Sequence, residues 1–251
     1  LAKAAPAEQL KLLELQGLDA KLKSLSNRRR TLSTDPRITD LEAALSVANG
    51  ELGGAKVAVH DAEADLKRAE ADVEQVANRI ERDEARLNSG TGLSKDLVAL
   101  QKDIASLNKR RSDLEDVELE VMDRLDSLRA RQAAQQQIVD DIQGSFSGIR
   151  AELDEALAEV EAEATVVRGQ RDEFAAGLDA GMLAVYEKTL AKRGVGAARL
   201  FHGTSEASGM KLSPGDLAEI KAAAEDEIVF CPDSGAILVR SAEWNTPSPN
   251  N

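Results

Sequence analysis

Apolar side chains recur along most of this chain at steps that alternate between four and three. One stripe runs Leu41, Leu45, Ala48, Leu52, Ala55, Val59, Ala62, Leu66, Ala69, Val73, Val76, Ile80 and Leu87, interrupted by Asp83. A second runs Leu93, Leu97, Leu100, Ile104, Leu107, Leu114, Val121, Leu125 and Leu128, with Arg111 and Glu118 intruding. This is the heptad rule of helices that pack along a seam. Between the stripes lies a short polar stretch with two glycines, Asn88-Ser89-Gly90-Thr91-Gly92-Leu93-Ser94. Helices joined by so short a loop must fold back antiparallel, so the pattern predicts a helical hairpin with its tip at 88–94.

The same reading extends to the flanks. A first helix from Ala7 carries Leu12, Leu15, Leu18, Leu22 and Leu25 and should stop at Ser33-Thr34-Asp35-Pro36, because the residue before proline avoids helical angles. The second helix then runs from Pro36 to Leu87, roughly 75 Å at about 1.5 Å per residue. If Leu87 and Leu93 face each other across the tip, residue i lies opposite residue 180 minus i. Ala48, Ala55, Ala62 and Ala69 then face Gln132, Leu125, Glu118 and Arg111, and Pro36 faces Gly144. Gly144-Ser145-Phe146-Ser147-Gly148 is a weak stretch for a helix, so a joint is expected near 33–36 and 144–148, and local bending at Gly50, Gly53 and Gly54. The return arm continues to Leu178, its lower half pairing with the first helix. A short helix with Met182, Leu183, Tyr186 and Leu190 follows, closed by Lys192-Arg193-Gly194.

Composition separates this stalk from the C-terminal residues. Only 2% of the 251 residues are aromatic, and five of the six lie at or beyond Phe174. The expected fold class is mainly α: an antiparallel coiled-coil hairpin over 1–193, a small α+β unit over 194–243, and a flexible tail over 244–251. The net charge of −13 argues against a protein built to grip phosphate backbones. No apolar run is long enough to cross a bilayer and no signal-peptide core is present, so a cytoplasmic protein without a membrane partner is expected. The single cysteine, Cys231, excludes an intrachain disulfide and fits a reducing compartment.

Residues 195–240 read as short strands around Ala198–Phe201, Glu227–Phe230 and Ala236–Arg240, with a helix from Pro214 to Ala224 capped by Ser213. Two turns stand out, Ser205-Glu206-Ala207-Ser208-Gly209 and Cys231-Pro232-Asp233-Ser234-Gly235. Each has the form of a zinc knuckle, and positions 205, 208, 231 and 234 have the two, twenty-two, two spacing of a four-cysteine ribbon. So small a unit would be marginal alone and is expected to dock on the stalk base through Phe174, Leu183 or Tyr186.

At these turns the chain resembles the bacterial C4-type zinc-ribbon, coiled-coil hairpin family. The resemblance covers nearly the whole chain. It includes Lys95-Asp96-Leu97, Leu100-Gln101-Lys102-Asp103-Ile104, Ser112-Asp113-Leu114-Glu115-Asp116, Tyr186-Glu187 and Ser208-Gly209-Met210-Lys211-Leu212. Its most specific part is the ribbon end, Asp226-Glu227-Ile228-Val229-Phe230-Cys231-Pro232, through Gly235 to Ile237-Leu238-Val239-Arg240. The resemblance maps the zinc ligands to Ser205, Ser208, Cys231 and Ser234, of which only Cys231 can supply a thiolate. His202 and Asp233 are the nearby residues that metal would have to recruit. No cofactor is therefore expected, zinc included, and Cys231 is expected to be a structural thiol.

No nucleotide-binding loop, metalloprotease motif or nucleophile elbow occurs, and no small-molecule substrate or catalytic residue is indicated. The expectation is a noncatalytic interaction protein whose stalk presents the ribbon-like end to protein partners. By resemblance, those partners belong to regulation of transcription or to secretion and flagellar assembly. The alternative is a ribbon that binds RNA or DNA. Arg240 and Trp244 are the residues expected to touch a partner, since exposed aromatic and arginine side chains anchor interfaces.

Overall fold

The computed structural model describes residues 3–245. The elements are α1 (Pro6–Ser33), α2 (Pro36–Asn88), α3 (Ser94–Ala176), α4 (Ala180–Arg193), β1 (Ala197–Phe201), β2 (Thr204–Ser205), α5 (Pro214–Ala222), β3 (Val229–Phe230) and β4 (Ile237–Arg240). The chain is mainly α, two long antiparallel arms with a small strand-bearing unit at the C-terminal end. Thr34 closes α1 with a hydrogen bond from its N–H to the Thr31 carbonyl, and Pro36 opens α2, where its missing N–H costs nothing. At the tip, Gly90 and Gly92 take left-handed φ values of 66° and 148° that side-chain-bearing residues avoid.

The helices are unbroken at the glycines where a joint and local bending are expected. Gly144 and Gly148 lie inside α3, and Gly50, Gly53 and Gly54 inside α2. None of these five Cα positions faces a neighbour within 4 Å, and Ile142, Phe146 and Ile149 continue the half-buried seam straight past the first pair. A cost of about 1 kcal/mol per glycine does not break a helix whose other face is packed.

The chain forms two compact units. One comprises Pro36–Ala151; the other joins the described residues up to Asp35 with those from Glu152 onward.

Within Pro36–Ala151 the seam is a chain of small clusters. Ala48 and Leu52 pack with Val139, flanked by Leu45 and Ile142; Val59 and Ala62 pack with Leu125; Val76 and Ile80 pack with Ile104, flanked by Leu87 and Leu100. The pairs Leu45 and Ile142, Ala48 and Val139, Ala62 and Leu125, and Leu87 and Leu100 all obey i opposite 187 minus i. The register of 180 minus i is therefore wrong by one heptad. Leu93, the expected first seam residue of the return arm, is 64% exposed, and the seam resumes at Leu97 and Leu100. A slip of seven residues leaves every apolar position facing inward, so the pattern alone does not distinguish the two registers.

In the second unit α1 runs antiparallel to the end of α3, with Leu25 packed on Val160 and Val167 and with Lys21 to Glu163 at 2.8 Å. Below this, stalk and strands share one core. Leu12 and Leu15 of α1, Ala175 of α3, Met182 and Tyr186 of α4, and Ala197, Ile237 and Val239 of the sheet are all buried together, with Phe174 and Leu183 packed at the edge. The expected docking of the ribbon through Phe174, Leu183 and Tyr186 is thus present, and it is a shared core rather than a surface contact. Residues 194–243 thus belong to one unit with α1 and the last part of α3.

A polar network pins this core. Gln16 Oε1 accepts from the N–H groups of Gly196 at 2.7 Å and Ala197 at 3.2 Å, fixing where β1 begins. Tyr186 donates its hydroxyl to Asp19 Oδ2 at 2.7 Å, and Asp19 and Glu187 both hold Arg171. Burial first, and then the bond to Asp19, push the Tyr186 pKa well above the ordinary range. Burial works against the Arg171 charge, but its bonds to Glu187 and Asp19 outweigh this and hold the guanidinium protonated. Gln9, buried on the same helix, donates to the carbonyls of Ala4 and Glu225.

Two outcomes are expected. Spin labels at the exposed positions Glu63 and Arg124, which lie level in the register of 187 minus i, should give a shorter distance than labels at Glu63 and Val117, which are offset by one heptad, roughly 10 Å along the axis at about 1.5 Å of rise per residue; the reverse order would restore the register of 180 minus i. The second concerns Tyr186, the only tyrosine in the chain. Its raised pKa means that its contribution to stability is complete below the unfolded value, about 10, and is lost as pH rises above it. Tyrosinate absorption should therefore appear only as the fluorescence of Trp244 reports unfolding. Tyr186→Phe should remove that alkaline component and cost about 1 kcal/mol at neutral pH. Ionisation at the ordinary pKa in a folded chain would contradict the buried hydrogen bond.

Candidate functional site

The sheet order is β2-β1-β4-β3, with β1 and β4 parallel and the outer pairs antiparallel. The first knuckle turn follows β2 and the second links β3 to β4. The two are built alike, bond for bond. Ser205 N donates to Met210 O at 3.1 Å, as Cys231 N does to Ala236 O at 2.8 Å. Gly209 N donates to Ser205 O and Gly235 N to Cys231 O, both at 2.8 Å. Met210 N donates to Ser208 Oγ and Ala236 N to Ser234 Oγ, both at 3.3 Å. Gly209 and Gly235 take φ values of 68° and 72°. Gly235 is doubly constrained, since a Cβ there would stand 2.7 Å from Arg193 Nε.

Of the four inferred ligand positions, Ser205 and Ser234 lie against the Cys231 thiol, while the Ser208 hydroxyl is engaged within the first turn. Ser205 and Cys231 are buried, and Ser208 and Ser234 half-buried. Burial raises the Cys231 pKa, yet the Ser205 hydroxyl and the Ser234 and Asp233 donors outweigh it, so the thiol is more acidic than usual. The Ser234 N–H lies 3.5 Å from its sulfur. Ser205 Oγ makes no full hydrogen bond, although it lies close enough to that sulfur to favour the thiolate. A structural zinc site takes four nitrogen or thiolate ligands, and this donor set does not fit one. Among the described residues, no three His, Cys, Asp or Glu side chains are gathered as metal ligands, so His202 and Asp233 do not complete the set around Cys231. His202 instead stacks on Phe201, with ring centroids 4.0 Å apart.

Arg240 and Trp244 line one cleft with Pro6 and Gln9. Arg240 is occupied within the fold: its guanidinium donates to the carbonyls of Ile220, Ala223, Ala224, Glu225 and Glu227, at 2.7 to 3.4 Å. It thereby satisfies the open C-terminal end of α5 and the loop beyond it. Trp244 is half-buried against the cluster of Leu200, Leu212, Ile220, Cys231 and Leu238, and its carbonyl accepts from Gly203. The remainder of the expected tail, 246–251, lies outside the described residues. The capping of α5 is as expected, with Ser213 and Asp216 forming a reciprocal capping box and Pro214 in the first turn. The basic runs lie on stalk faces: Arg29 approaches Glu161 at 3.7 Å and Arg111 pairs with Glu115 at 2.8 Å.

Comparison with known proteins agrees with this architecture. Residues 15–194 match the CT398-like coiled coil hairpin domain. The chain belongs to that family. Residues 204–238 match the C4-type zinc ribbon domain, so the two family matches meet near residue 194 although the core runs across that point. An uncharacterized protein of Mycobacterium tuberculosis is 36% identical to this hairpin protein over 238 residues, which cover 95% of this chain and 97% of the relative. One from Mycobacterium leprae is 32% identical over 129 residues, 51% of this chain and 56% of its own. A solved Mycobacterium smegmatis structure superposes with a TM-score of 0.80 at 30% identity, covering 95% of this chain and all of its own. CT398 of Chlamydia trachomatis, at 17% identity, shares the fold with a TM-score of 0.62 over 94% and 98% of the two chains. Among the described residues of this family member, no helix is long and apolar enough to cross a membrane.

If the knuckle backbones are already set as in a metal-bound ribbon, restoring thiolates should restore the site. The variant Ser205→Cys with Ser208→Cys and Ser234→Cys is expected to bind one zinc per chain, measured by elemental analysis, and to gain thermal stability that a chelator removes. Failure of that variant to take zinc while it folds would mean the turns do not have ligand geometry.

Proposed function

We propose that this hairpin protein is a noncatalytic adaptor, acting in the cytoplasm, whose stalk carries a metal-free ribbon that holds protein partners. The observation that supports it most is the ribbon itself. Both knuckles are kept bond for bond while the ligand set has shrunk to Cys231, so the shape persists without the metal chemistry. Hydrogen bonds, the Arg240 staple and the shared stalk core supply the rigidity that zinc supplies in a four-cysteine ribbon. The arms satisfy each other along the seam, where each buried leucine contributes roughly 1.5–3 kcal/mol, and that leaves the base as the principal grip. The family resemblance favours partners in transcription regulation or in secretion-type assembly.

The register supplies a clean test. Excising residues 59–86 from α2 and 101–128 from α3 removes the same whole number of heptads from each arm and leaves the tip and the base. Cross-linking capture from the source cells with the full and shortened chains, read by mass spectrometry, should return the same partners. Loss of every partner on shortening would move the grip to the stalk, and a full chain that captures no protein above background would end the adaptor reading.

A further inference from the structure

Beside the second knuckle, the base unit has an open groove of about 450 Å³ between α4 and β3. Its apolar surface is Val185, Ile228 and Phe230, the last 43% exposed, which is unusual for an aromatic ring with a core beside it. Its rim is cationic: Lys188, Lys192 and Arg193, all exposed. Val185, Lys188 and Lys192 recur at steps of three and four and so share one face of α4. Arg193 lies across Gly235, the position where a Cβ would collide with it, which brings its charge to the groove mouth.

The charge balance here is opposite to that of the chain. The net charge is −13, yet among the described residues no acidic side chain lines the groove. Several other cations of the same unit are paired, Lys3 with Asp226, Lys11 with Glu8, Lys21 with Glu163 and Arg199 with Glu206, but those do not gather beside exposed apolar surface as the groove's cations do. Among the described residues, the three rim cations have no ion-pair partner. Three unpaired charges around an apolar floor match a ligand that is both anionic and greasy.

We propose that this groove binds an acidic segment of a partner protein, whose apolar side chains lie on Val185, Ile228 and Phe230 and whose carboxylates meet Lys188, Lys192 and Arg193. The proposal rests on the adaptor reading and gives it a chemistry. Carboxylates at the rim steer the encounter and set its specificity, and the apolar floor supplies the contact area. A phosphate backbone fits less well, because the stacking platform is a single ring and the surrounding charge is negative.

The probe is a fluorescein-labelled helical peptide of glutamate and leucine, with leucines at i, i+3, i+4 and i+7, titrated against the full chain by fluorescence anisotropy. Binding is expected, weakening as salt is raised. It should fall about tenfold or more in Lys188→Glu with Lys192→Glu, and similarly in Phe230→Ser. Both variants change exposed side chains, and circular dichroism checks that they fold. The lysine–leucine counterpart should not compete.

No binding of the acidic peptide, equal binding of the basic one, or binding indifferent to these substitutions would overturn the proposal. So would displacement of the peptide by labelled oligouridylate at lower concentration, which would make the groove a nucleic-acid site. Self-association of the chain that the lysine substitutions abolish would assign the groove to a second copy. Capture by the shortened hairpin is scored separately, so the groove can fail while the adaptor reading stands.

Discussion

The ribbon begins where the stalk allows it to. Gly196 has no side chain because the Tyr186 ring occupies the space, and a Cβ there would stand 2.3 Å from it. On the other side of that contact, Gln16 of α1 takes the N–H groups of residues 196 and 197, so the first strand has its starting point set by two helices. The parallel pairing of β1 with β4 depends on that start, as do both knuckles that flank these strands. A sheet this small has too little apolar surface to hold itself, and Leu12, Leu15, Met182 and Tyr186 provide what it lacks.

This arrangement explains how a zinc ribbon persists with three of its four ligand positions changed to serine. In a free-standing ribbon the metal is the core. Here the core is elsewhere, and Arg240 ties the end of α5 and the loop beyond it to β4 through five carbonyls. The Ser208 and Ser234 hydroxyls each accept the backbone N–H two residues on, a short local bond that holds the turn.

Much of this was legible in the sequence, and the misses have physical causes. Heptad steps located the helices, proline and glycine located their ends, and paired glycines located both knuckles. The inter-arm register was not recoverable, because a one-heptad slip conserves every buried position, and the packed pairs together with the exposure of Leu93 decide it. Gly144 and Gly148 do not interrupt α3, because Ile142, Phe146 and Ile149 keep the seam packed beside them. Arg240 looked like an exposed anchor because its partners lie 13 to 20 residues upstream in a loop without any sequence signal of its own. Gln16 and the cationic face of α4 went unremarked for the same reason: each acquires meaning only from a strand that packs against it.

The bond from Ala4 N to the Asp226 carbonyl, with the bridge of Lys3 to Glu227 beside it, ties the residues before α1 to the loop before β3. During synthesis the ribosome releases Leu12 and Leu15 long before it makes Ile237 and Val239, their companions in the core. The arms of Pro36–Ala151 can close as soon as they emerge, but the base has to wait for β4. Until then the first helix exposes a leucine face with nothing to cover it. The surface proposed to hold partners is therefore absent from every unfinished chain, and a nascent copy stalled short of its last strand has no assembled grip to offer.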